Sequence, residues 1–132
     1  MIYVTKKACR LAQIVKTDKD EISLDELQAG VGGLIECLRL GDYIIYINDM
    51  GKLIEGMMPC FVAKYGATLD AQDIIMGDIV ITKGDGAGGD MTMTDEEAQA
   101  MCERFNKPYD FSMVMDNMNH AYVLPVINMR EA

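Results

Sequence analysis

One histidine and four cysteines are the side chains in this sequence best suited to covalent chemistry. His120 could serve as the base for a cysteine nucleophile, Cys37 or Cys60, if the fold brings them together. A working cysteine needs an electropositive, partly exposed setting that lowers its pKa. Cys37 falls inside an apolar stretch and Cys102 on the apolar side of a helical pattern, so packing roles are expected for them and a surface or strand-end place for His120. No catalytic residue is assigned, and the chain reads as a non-enzyme. Cys9, Cys37, Cys60 and Cys102 are scattered, with no CxxC pair, so neither a zinc set nor disulfides are expected.

The acids form the next constellation. Asp85 and Asp90 in "GDGAGGD" could offer calcium oxygens, but an EF-hand needs acids at positions 1, 3 and 5 and a Glu at 12, which this stretch lacks. From Asp85 to Glu103 lie six acids, Asp85, Asp90, Asp95, Glu96, Glu97 and Glu103, and no base. They make either a solvated helix face or a docking surface for a basic partner. Arg39, Lys52, Lys64 and the basic N-terminal segment are the donors open to a phosphate-bearing ligand, such as a nucleotide signal.

"AGVGGLIECLRL", residues 29–40, poses a phosphate question of its own. A phosphate-gripping glycine loop follows a strand and opens a helix, where free amides and the positive dipole end point at the anion. Here Gly30, Gly32 and Gly33 follow a helical pattern and precede a strand-like one, and GK[ST] is missing. Gly30 or Gly32 is therefore expected to be a left-handed helix cap. No cofactor motif and no metal set stand out.

Charge narrows the partners. The chain carries −9 over 132 residues, yet residues 1–17, with Lys6, Lys7, Arg10 and Lys16 and no acid, carry +4, leaving −13 on the rest. Such a surface repels nucleic acid and attracts basic proteins. Half the residues are apolar, enough for one packed domain. No apolar run approaches the roughly 20 residues needed to span a bilayer, and "MIYVTKKACR" reverses the order of a secretory signal. A cytoplasmic, non-membrane protein is expected.

The elements that must position these groups follow from patterning. "MIYVT" and "LAQIVK" read as strands, and Ser23 with Glu26 as a capping box opening a short helix. "LIECLRL" and "YIIYIN" make a hairpin turning at Gly41 and Asp42, and "DIIMGDIVITKG" reads as a single strand interrupted at Gly77. "GDGAGGDMTMT" is a loop or hairpin tip. Thr94 with Glu97 caps a helix carrying Ala98, Met101, Cys102 and Phe105, and "AYVLPVI" is a strand placed at a sheet edge by Pro125. An α+β single domain over 1–132 is predicted, with a mainly antiparallel sheet and two or three helices on one side. Among twelve methionines, Met57, Met58 and the Met113–Met118 group could form an adaptable apolar interface, for instance in a homodimer built with the tail.

From about Ser23 to Phe105 the sequence resembles the domain-of-unknown-function family number 3846, carried by phages and mobile elements of Gram-positive bacteria. Its "VGGxIE" core is matched by Val31, Gly32, Gly33, Ile35 and Glu36, and its "NExGKL" turn by Asn48, Asp49, Gly51, Lys52 and Leu53, with Asp for Glu. "DxIxG" is similar to Asp73, Ile75 and Gly77, and "LTDEE" to Thr94–Glu97. An asparagine that the family places after the middle-loop proline is replaced here by Cys60. The resemblance implies a small accessory protein of a phage, prophage or conjugative element, with residues 108–132 as an extension beyond the family-like core. The acidic surface adds the expectation that it engages a host or defence protein inside the bacterial cell, with carboxylates able to mimic a run of nucleic-acid phosphates.

Overall fold

The computed structural model describes residues 1–68 and 71–130. Strands β1 (Ile2–Lys6) and β2 (Ala12–Lys16) precede helix α1 (Leu24–Val31); β3 (Ile35–Leu40), β4 (Tyr43–Asn48), a 3₁₀ turn (Gly51–Leu53), β5 (Pro59–Lys64), β6 (Gln72–Met76), β7 (Ile79–Gly84) and β8 (Asp90–Met91) follow. Helix α2 (Asp95–Asn106) and strands β9 (Asp110–Met115) and β10 (Ala121–Asn128) close the chain. The first sheet runs β2-β1-β7-β4-β3 with β8 beside β7, and the second β6-β5-β10-β9. Every pairing is antiparallel except β5 with β10. The α+β class thus holds, with two helices among the described residues.

Alternation along β4 explains the layering. Ile44 and Tyr46 pack with Leu27 and Val31 of α1, while Ile45 and Ile47 join a core with Phe61, Ile75 and Ile127 of the second sheet and Ala98, Met101 and Phe105 of α2. The first sheet is therefore covered on both faces, and its central strands are nearly continuous apolar runs for that reason. The helices lie on opposite faces of it, not on one side as the sequence led us to expect, because "YIIYIN" and "IVIT" leave no polar face to solvent.

Both capping boxes form, Ser23 with Glu26 and Thr94 with Glu97. Gly32, at φ +80°, is the left-handed cap of α1 and donates its N–H to the Gln28 carbonyl at 2.8 Å. Gly30 lies inside the helix, where a Cβ would stand 2.6 Å from the Val80 side chain, so the missing side chain seats α1 against β7.

Three expectations need correction. "DIIMGDIVITKG" is two strands in different sheets: Gly77, at φ +87°, turns the chain between β6 and β7. Pro125 does not mark an edge, because β10 lies between β5 and β9; its missing N–H is harmless where it stands, just before the parallel pairing with β5 begins at Val126. Cys9 and Cys37 are exposed and only Cys60 and Cys102 buried; all four are free. Beyond residue 108, the tail forms β9 and β10, and Leu124, Ile127 and Met129 are buried, so it completes the second sheet.

Phe61 is fully buried and meets Phe105 edge-on, with ring centroids 5.3 Å apart, joining the second sheet to α2. Phe61→Ala should cost about 3–5 kcal/mol in urea unfolding, read as a lower midpoint with an unchanged slope.

Candidate functional site

Folding disperses the acidic run. Asp85 closes the β7–β8 tip by accepting the amides of Ala87 and Gly89 at 2.7 and 2.9 Å, and those bonds hold its carboxyl below the usual range. Half-buried Asp90 accepts the hydroxyls of Tyr46 and Thr82, each at 2.5 Å. Burial, and then Asp90, push the Tyr46 phenol up. Glu97 accepts from Lys83 at 2.7 Å, from Tyr43 at 3.0 Å and from the Thr94 amide at 3.0 Å. Lys83 above all, then the cap, draw the Glu97 carboxyl down to about 2. What stays outward is the exposed side of α2: Asp95, Glu96 and Glu103 with Gln99 and Ala100. Asp95 pairs there with Lys16 at 2.6 Å, both solvent-exposed.

The three cations singled out for a ligand do not converge. Arg39 is on β3, an edge of the first sheet; Lys52, in the 3₁₀ turn, pairs with Asp73 of β6; Lys64 ends β5 facing the last turn of α2. The Cys–His pairing finds no support either. His120 lies at the β9–β10 turn with its Nδ1 3.1 Å from Asp116, whereas Cys60 is fully buried and burial pushes its thiol up to about 12. Among the described residues no three His, Cys, Asp or Glu side chains cluster as metal ligands, and no helix is long and apolar enough to cross a membrane.

Two features emerge instead from the tail and the N-terminal segment. Phe111, Met113 and Met115 alternate on one face of β9, opposite Pro125, Val123 and Ala121 in register. All three are exposed, Met113 to 70%. Asp116 donates its N–H to the His120 carbonyl, so by alternation the amides of Phe111, Met113 and Met115 point to the free edge of the second sheet. Between this hairpin and the β1–β2 turn opens a cleft of about 690 Å³. Lys6 and Arg10 line it, beside Leu11, Phe111 and Val123. The turn is pinned at both ends: Asp78 accepts the Ala8 amide at 2.9 Å, and Asn106 of α2 bonds both the N–H and the C=O of Ala12 at 2.7 and 3.1 Å. The one advance sign of this cleft in the sequence was the acid-free, +4 N-terminal segment.

The model of a domain of unknown function, DUF3846, matches residues 1–106, so the chain belongs to that family, and the match starts at the first residue rather than near Ser23. No curated protein and no solved structure matches the chain.

Because its folded pKa is lowered, Glu97 stabilises the fold above its ordinary pKa of 4.5, and that contribution fades as pH falls toward about 2. With allowance for solvent screening, roughly 1–2 kcal/mol is at stake. Glu97→Gln should melt earlier than wild type at pH 7, and thermal unfolding at pH 7, 4.5 and 2 should show the gap closing across the acidic window.

Proposed function

We propose that the chain is a non-enzymatic binding protein that engages a basic protein partner through the outer face of α2. The observation that supports this most is the shared outward placement of Asp95, Glu96 and Glu103, of which only Asp95 has a cationic partner among the described residues. Glu103 and the fully exposed Tyr109 line one groove of about 440 Å³ at the C-terminal end of the helix, where Lys64, Arg104 and Lys107 also border it. Acids near an exposed aromatic side chain suit a partner that is basic around an apolar contact. Asp85, Asp90 and Glu97 drop out of the contact set, since their oxygens serve the tip, β4, β7 and the helix cap.

In the setting implied by the family resemblance, the partner is a host or defence protein met by an accessory protein of a phage or mobile element. The nucleic-acid-mimic form of this idea is the weaker one. From Asp95 to Glu103 the helix rises only about 12 Å, a short row to stand in for a run of phosphates. A homodimer through β9 is the competing occupant of the apolar face, and it would bring together two chains of −9 each.

Glu96→Lys with Glu103→Lys reverses the charge at exposed positions and should leave thermal stability nearly unchanged. Partner chains captured from host lysate at low salt should bind the double variant at least about tenfold more weakly and be released from wild type as salt shortens the screening length. Equal capture by both proteins, or capture indifferent to salt, would overturn the proposal.

A further inference from the structure

We propose that the cleft between the β1–β2 turn and the β9–β10 hairpin binds a small amphipathic anion, its carboxylate or phosphate head held by Lys6 and Arg10 and its apolar body by Leu11, Phe111 and Val123. This site is separate from the α2 face and stands whether or not that face binds a protein.

Lys6 carries the argument. The residue is only 4% exposed, yet its ammonium has one oxygen acceptor, the Cys60 carbonyl at 3.1 Å, with the weakly accepting Cys60 thiol beside it, for three N–H donors. A buried charge is costly unless paired, and among the described residues no carboxylate forms an ion pair with it; Asp78, next to its register partner Ile79, spends one oxygen on the Ala8 amide. A methionine of similar length would fill the same space without that cost. An anion entering the cleft would complete the shell of the ammonium.

The surroundings point the same way. In a chain of net charge −9, the residues lining this cleft include two cations and no acid. Arg10, exposed at the mouth, can grip a carboxylate or phosphate through two parallel N–H bonds. Of the other polar side chains, Asn106 is engaged with Ala12, the Tyr122 hydroxyl with Asp116 and the Cys9 thiol with the Pro59 carbonyl, while the exposed Gln13 amide also borders the cleft. The walls are apolar and open, with Leu11, Phe111 and Val123 each 62–68% exposed. At about 690 Å³ the space falls in the size range of small-molecule sites. A bare inorganic anion would leave those walls wet, and a neutral aromatic would leave Lys6 unpaired, so the ligand class needs both halves.

Titration calorimetry with phenyl phosphate, inorganic phosphate and phenol tests the assignment on the full chain. Phenyl phosphate should bind one to one, with inorganic phosphate and phenol each at least about tenfold weaker. Arg10→Ala, a change at an exposed position, should weaken phenyl phosphate about tenfold. Lys6→Met should abolish binding while its unfolding temperature stays at or above that of wild type; should it fail to fold, Arg10→Ala and the ligand series still decide. Absence of phenyl phosphate binding to wild type, or equal affinity in Arg10→Ala, overturns the site.

Discussion

Double burial of β4 and β7 is the constraint on which the rest of the molecule depends. Ile44, Tyr46 and Val80 demand cover on one face, Ile45, Ile47 and Ile81 on the other. One short helix meets the first demand, and only because Gly30 lets it approach Val80 closely. The second is met by α2 and a whole second sheet, to which the chain crosses at Pro59 and from which it returns at Gly77. That second sheet is incomplete without the tail: β10 supplies Leu124 and Ile127 and pairs with β5. Residues 107–130 lie outside the span matched by the family model, yet they finish the core of this chain.

The same stacking creates the cleft. β1 pairs on one side with β7 and on the other with β2, and Asn106 of α2 ties β2 down, so the turn between them is held over the end of the second sheet. Lys6, the last residue of β1, therefore reaches the Cys60 carbonyl across the layer boundary. A basic segment that the sequence presents as a charge imbalance becomes, once folded, one buried ammonium and one exposed guanidinium on a common opening.

How much of this could be read in the sequence depended on whether the signal was local. Both capping boxes, the β3–β4 hairpin and the apolar face of α2 are set by residues within four positions of each other, and they were legible. Gly77 looked like an interruption because φ +87° within an apolar run does not announce that the flanking halves join different sheets. β5 was hidden because "PCFVAK" is buried on both faces and shows no alternation, whereas β9 does alternate, at Phe111, Met113 and Met115, with methionines in place of branched residues. In the acidic run nothing local reveals that Asp90 and Glu97 turn to Tyr46, Thr82, Tyr43 and Lys83 from other strands. Arg39, Lys52 and Lys64 shared only their charge, and the fold sends them to separate places.

The central claim is that this is a binding protein, with a carboxylate-bearing helix for a basic chain and a cation-lined cleft for a small anion. Native mass spectrometry on the protein purified at low salt from the cells that naturally make it tests that claim most directly. The account predicts a mass above that of the single chain, from a retained small anion, a basic partner released by salt, or both. The bare chain, with neither bound across a range of gentle conditions, would contradict it.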